Sequence, residues 1–132
     1  MDTTADLAEG LACTPNITAA GRRTRRRMGQ VELGLAIAFV AVGVLLRWAW
    51  WVRAAVVLPV TTLAAISLLQ SRRHTCVLRA AEGTIERDGA PNAKADADAA
   101  AASRRMAATV VRDAILIGVA CAMAAAATTM VR

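Results

Sequence analysis

The sequence predicts an all-α, helical transmembrane protein with three membrane-spanning helices: a helical hairpin plus a third, alanine-rich helix. Three observations predict it. Apolar residues form unbroken stretches at 31–46, 54–69 and 114–131, each close to the roughly 20 residues an α-helix needs to cross a hydrocarbon core of about 30 Å. Hydrophobic residues make up 57% of the 132, with a mean hydropathy of +0.45, and they run together instead of recurring at a helical or strand period. The arginines gather on one side of these stretches. The predicted spans cover about 31–50, 53–71 and 113–131 of a single domain at 21–132. They leave a loop at 72–112 and too few residues for a second folded core.

The first 20 residues carry Asp2, Asp6 and Glu9 and no apolar run. They read as a disordered tail and not as a signal peptide, so the first span is expected to stay as an uncleaved anchor. Next comes Arg22, Arg23, Arg25, Arg26 and Arg27. With three spans, thirteen of the sixteen Lys and Arg residues fall on the side shared by this cluster and the 72–112 loop. The positive-inside rule then puts the N-terminus in the cytoplasm and the C-terminus in the periplasm or outside. Cell inner membrane is the expected location. Lys94 is the only lysine, and with so much alanine this suggests a GC-rich bacterial genome. The net charge of +6 flanks the spans without interleaved aromatics, which excludes nucleic acid as a partner.

Span one carries Gly34, Ala36, Ala38, Ala41 and Gly43, small residues that let another helix approach closely. The turn reads Arg47, Trp48, Ala49, Trp50, Trp51, Val52, Arg53 and holds all three tryptophans. Indole rings prefer the headgroup level and arginines snorkel to water. Arg47, Trp48, Trp50, Trp51 and Arg53 therefore read as an interfacial anchor at a tight turn; a tryptophan-lined lipid or quinone pocket is the alternative. Span two contains Pro59, expected to kink it, and then Thr61 and Thr62, whose hydroxyls can bond freed or neighbouring carbonyls.

Matching the two hairpin arms by rise per residue returns Glu32 to the depth of Arg72 and Arg73. Asp113 opens span three at the same level. A carboxylate at the membrane edge is costly unless paired. Glu32, Arg72, Arg73 and Asp113, with Arg112 nearby, are thus expected to form a charge cluster, or else to sit in wet headgroups. In the loop, Val77, Leu78, Ala81 and Ile85 suggest a short amphipathic helix over 75–87, weakened by Gly83. The stretch 88–102 has linker composition, although Asp96 or Asp98 could cap a helix running below the membrane through Arg104 and Arg105. In span three, Gly118, Ala122 and Ala126 repeat at four-residue spacing and read as a packing ridge, buried against the hairpin or a partner.

Cys13, His74 and Cys76 are the candidate metal ligands, at the cytoplasmic face. Two separated cysteines and one histidine lack ligand-pair spacing and need a fourth donor from elsewhere, so plain structural cysteines are the competing reading. Cys121 falls mid-membrane and reads as inert filler. There is no Gly-rich phosphate loop, no Ser/His/Asp arrangement and no pair of carboxylates at membrane depth. The chain is expected to be non-enzymatic and to carry no cofactor.

One resemblance goes further. Cys13, Pro15, Asn16 and Ile17, the arginine run, Trp50 and Trp51 with Arg53, Leu58 and Pro59, Leu68, Leu69 and Gln70, and then Thr75, Cys76 and Val77 with Ala80, Ala81, Gly83 and Thr84 resemble a family of small bacterial membrane proteins of uncharacterised function. The resemblance covers the first two-thirds of the chain. Its span-two exit is distantly similar to the two-helix membrane anchor of some rhodanese-type inner-membrane proteins. It implies a two-helix hairpin core with recurring cysteines, and any shared role would fall on Cys13 and Cys76. The expected partners are the lipid bilayer and other membrane chains. The leading expectation is an accessory subunit of a membrane complex. A thiol or metal protein using Cys13 and Cys76 is the alternative, and a small oligomeric transporter resting on Thr61, Thr62, Ser67, Thr128 and Thr129 the second.

Overall fold

The computed structural model describes residues 16–87 and 90–128. Three long helices dominate: α1 (Ala19–Leu45), α2 (Trp50–Arg72) and α4 (Ala97–Ala127). All three are long and apolar enough to cross a membrane. The short helix α3 (Val77–Glu82) and the strands β1 (Thr84–Arg87) and β2 (Ala90–Lys94) lie between α2 and α4. At 27 and 31 residues, α1 and α4 are about 40 and 46 Å long, so both extend past the hydrocarbon core at their N-terminal ends.

The helices run up, down and up, with α2 in the middle and α1 and α4 packed along it. Small residues make the close approach possible. The buried face of α4 is Ala100, Ser103, Ala107, Val110, Ala114, Gly118, Ala122 and Ala125, spaced by three or four residues. A β-carbon on Gly118 would collide with Thr62 Oγ1 and come within 3.2 Å of the Leu58 carbonyl oxygen. On α1, Gly29 meets Leu68, and Ala36 and Gly43 are also buried. The ridge expected on span three therefore packs inside the chain, against α2. Its last position is Ala125 and not Ala126, which is only half-buried.

Gly34 differs from the other glycines of α1 in having no neighbour from another element among the described residues. No described residue lies within 4 Å of the position its β-carbon would take, so it packs against none of them. It lies on the outer side of α1, as does Ala38 one turn later, both exposed.

The hairpin turn is built from a left-handed residue. Arg47 has φ 54°, and Trp48 N–H donates to the Gly43 carbonyl at 2.9 Å while Arg47 N–H donates to that of Val44. This is the Schellman closure, with an arginine where glycine is usual. Because α2 starts already at Trp50, the hairpin pivots near residue 48. Gly43 faces Arg53, Glu32 faces Ser67 and Gly29 faces Leu68. Glu32 therefore sits level with Ser67, about 7.5 Å deeper than the expected level of Arg72. α2 continues through Pro59 without a break in its helical assignment, and Thr61 and Thr62 donate to the carbonyls of Val57 and Leu58, each at 2.7 Å.

The linker expected at 88–102 is also corrected. β1 and β2 pair antiparallel, Thr84 opposite Lys94 and Ile85 opposite Ala93, with an irregularity before Arg87 pairs with Ala90. α4 begins at Ala97, capped by Asp96, whose carboxylate accepts from Ala99 N–H at 2.7 Å. The amphipathic helix expected over 75–87 stops at Gly83, where φ is 68° and the chain turns into β1.

Candidate functional site

The arginine-rich end of the bundle carries the most organised polar structure. It begins where α2 stops. Arg73 caps the helix, His74 takes a left-handed φ of 53°, and Thr75 N–H returns to the Gln70 carbonyl at 3.2 Å. This closure presents Thr75 and Cys76 inward, both nearly inaccessible. The segment ahead of α1 docks onto them. Asn16, fully buried, accepts from Cys76 N–H at 2.5 Å and donates to the Cys76 carbonyl at 3.0 Å. Asn16 N–H donates to the His74 carbonyl at 3.1 Å, and the Asn16 carbonyl accepts from Glu86 N–H at 2.9 Å. One asparagine thus joins the exit of α2 to β1. Ile17 is buried beside it, and Thr18 caps α1 while donating to Glu86 Oε1 at 3.1 Å.

Two arginines of α1 reach the same junction. Arg22 Nη1 lies 2.8 Å from His74 Nε2, and Arg25 Nη2 donates to Cys76 Sγ at 2.9 Å. A guanidinium can only donate, so Arg22 is the donor in its contact with His74. The two candidate metal donors therefore each face a cation. Cys13 lies outside the described residues, and among those described no three His, Cys, Asp or Glu side chains are grouped to hold a metal. Sequence reasoning weighed the two motifs for their cysteines. The residue that brings them together is Asn16, whose signal was a small amide beside Pro15 in the motif itself.

The expected membrane-edge cluster splits into three. Asp113 pairs with Arg73 at 2.6 Å and with Arg112 at 2.9 Å, and Arg73 also donates to Thr109 Oγ1 at 3.0 Å. Among the described residues Glu32 meets no arginine; its partner is the Ser67 hydroxyl at 2.9 Å, because the hairpin pivots earlier than the arm-matching assumed. Arg72 points away from both. It lines a cavity of about 720 Å³ between the lower ends of α1 and α2, with Ala19, Arg22, Arg23, Arg26, Gln30, Leu68 and Ser71.

At the opposite end, Trp50 and Trp51 are exposed and Trp48 is half-buried. Arg47 is exposed too, but Arg53 is not a snorkelling residue. It is 3% exposed, threads past Gly43 and donates to Thr128 Oγ1 at 2.9 Å, and its Nε has no partner among the described residues. Gly43 leaves room for its methylenes, and a start of α2 at Trp50 turns position 53 toward the neighbouring helices. The hydroxyls weighed for a transport path are engaged locally: Thr61 and Thr62 on carbonyls of their own helix, Ser67 on Glu32, Thr128 on Arg53 and the Ala125 carbonyl. Thr129 lies outside the described residues. Comparison with known protein families, with curated proteins and with solved structures finds no match for this chain.

Proposed function

We propose that this chain is a non-enzymatic integral protein of a cell inner membrane, with its arginine-rich end in the cytoplasm, that serves as an accessory subunit. It does so by offering the outer side of α1 to a helix of another membrane protein. The observation that carries this reading is Gly34, with open space where its side chain would be and Ala38 one turn above it. Inside the bundle every other membrane-level glycine is matched to a neighbour: Gly29 to Leu68, Gly43 to Arg53, Gly118 to Thr62. Lipid gives no hydrophobic drive for helix association, so close backbone approach at small residues supplies it. A glycine in a helix interior costs about 1 kcal/mol relative to alanine. At Gly34 no contact among the described residues offsets that cost. A photo-crosslinking residue at position 38, used in native membranes, should give one discrete protein adduct, and Gly34→Leu should abolish it. The same probe at the exposed Val119 should give none. Identical behaviour at the two positions would refute the reading.

A thiol or metal role keeps one observation in its favour, the docking of Asn16 on Cys76. Of Cys13 and Cys76, Cys76 is the one within the described residues, and it is buried under Asn16. Under reducing, zinc-replete conditions such a site would slow alkylation of Cys13 and Cys76 together, and a chelator would restore it. Labelling of Cys13 at the rate of a free exposed thiol, with zinc present, refutes it.

A further inference from the structure

The cavity at the lower end of α1 and α2 has a composition that the accessory-subunit reading leaves unused. Its walls hold four arginines (Arg22, Arg23, Arg26 and Arg72), one glutamine, one serine and no carboxylate. Arg22 is held by His74, whereas Arg23, Arg26 and Arg72 have no carboxylate partner among the described residues. Four like charges around one hollow repel one another unless an anion lies between them. The place is also specific. Leu68 closes the top of the cavity where Gly29 packs on it, at the level where the arginine-rich part of α1 gives way to its apolar part.

Above the cavity, on the same side of α1, lies an apolar groove of about 440 Å³ between α1 and α4, floored by Val57 and Thr61 of α2. One stripe of α1 joins the two: Ala19, Arg22, Arg26 and Gln30 line the cavity, and Leu33, Ile37 and Ala41 line the groove. The steps of three or four residues keep them on one face. That face is cationic at its foot and apolar over the next three turns. We propose that it is a binding site for an anionic phospholipid, with the phosphate held among Arg23, Arg26 and Arg72 and an acyl chain lying along Leu33 and Ile37 toward the groove. Guanidinium groups bind phosphate oxygens bidentately, and basic pockets between membrane helices hold anionic headgroups. A free phosphate would use the foot of the site and leave the stripe above it unused.

The test uses the full chain, purified in mild detergent and examined by native mass spectrometry with added dioleoyl phosphatidylglycerol or dioleoyl phosphatidylcholine. The intact protein should retain phosphatidylglycerol at least tenfold better. The triple variant Arg23→Gln, Arg26→Gln, Arg72→Gln should lose that preference. A triple variant with the same charge loss away from the cavity, Arg87→Gln, Lys94→Gln, Arg105→Gln, should keep it. Equal retention of the two lipids by the unaltered protein would overturn the proposal, and this reading needs no variant to fold. Equal loss in both triple variants would also overturn it, by reducing the effect to net charge. Displacement of phosphatidylglycerol by millimolar inorganic pyrophosphate would assign the foot to a soluble phosphate and overturn the lipid. None of these outcomes depends on position 38 finding a protein partner, so this site and the accessory role stand or fall separately.

Discussion

Asn16 does with one side chain what a neighbouring strand does with its backbone: it accepts from the N–H of Cys76 and donates to its carbonyl. Both groups are buried and 60 residues away in sequence, so no local element could have satisfied them. Removing the amide leaves them without partners, at about 1–3 kcal/mol for each orphaned group. Asn16→Ala should therefore lower the thermal midpoint of the purified protein. In a chain whose other cysteines are replaced by serine, it should also raise the alkylation rate of Cys76 at least tenfold, because the segment covering the thiol is released. An unchanged rate would mean that something other than Asn16 shields Cys76. The sequence pointed to this place through its two cysteine motifs and misjudged which residue joins them. Spacing reveals which residues could meet in a metal site, but a side-chain amide pairing with a distant backbone leaves no periodic trace.

At the scale of elements, the glycines separate into two kinds that look alike in the sequence. Gly118 sits under Thr62 and the Leu58 carbonyl, whereas Gly34 faces open space. Alanine at 118 forces its methyl into occupied volume and should cost about 1–3 kcal/mol. Alanine at 34 meets none of the described residues and should stabilise the isolated protein by up to about 1 kcal/mol through helix propensity. Thermal denaturation in detergent should show opposite shifts for the two variants. Shifts of the same sign would show that Gly34 packs within the bundle. The apolar runs made α1, α2 and the upper part of α4 legible, since length and hydropathy alone define a span. The Asp96 cap was legible for the same local reason. The β-hairpin was not, because alanine and lysine in Ala90–Lys94 have low strand propensity and no alternation. The remaining signal was Asp88 followed by Gly89, a pair typical of short hairpin turns, which the linker-like composition around it obscured. The depth of Glu32 was missed by more than one turn because Trp50 and Trp51 open α2 and do not form the loop.

For the whole molecule, the bundle gathers all thirteen basic residues at 22–112 outside the hairpin turn at the end made by the start of α1, the exit of α2 and the start of α4. The other end presents the exposed rings of Trp50 and Trp51 with Arg47, and it holds Arg53 buried against Thr128. On the proposed reading, this asymmetry is what would orient the exposed Gly34 side of α1 and the arginine-lined cavity in the cell. If the arginine-rich end faced outward, the cavity would meet the wrong leaflet and the junction around Cys76 an oxidising compartment. The most direct measurement is a pair of topology reporters, alkaline phosphatase and a fluorescent protein, fused in turn at position 91 and after position 132 and expressed in a bacterial inner membrane. Three spans with the basic end in the cytoplasm give fluorescence without phosphatase activity at 91 and phosphatase activity without fluorescence at 132. The reversed pattern, or the same compartment at both positions, would contradict the account.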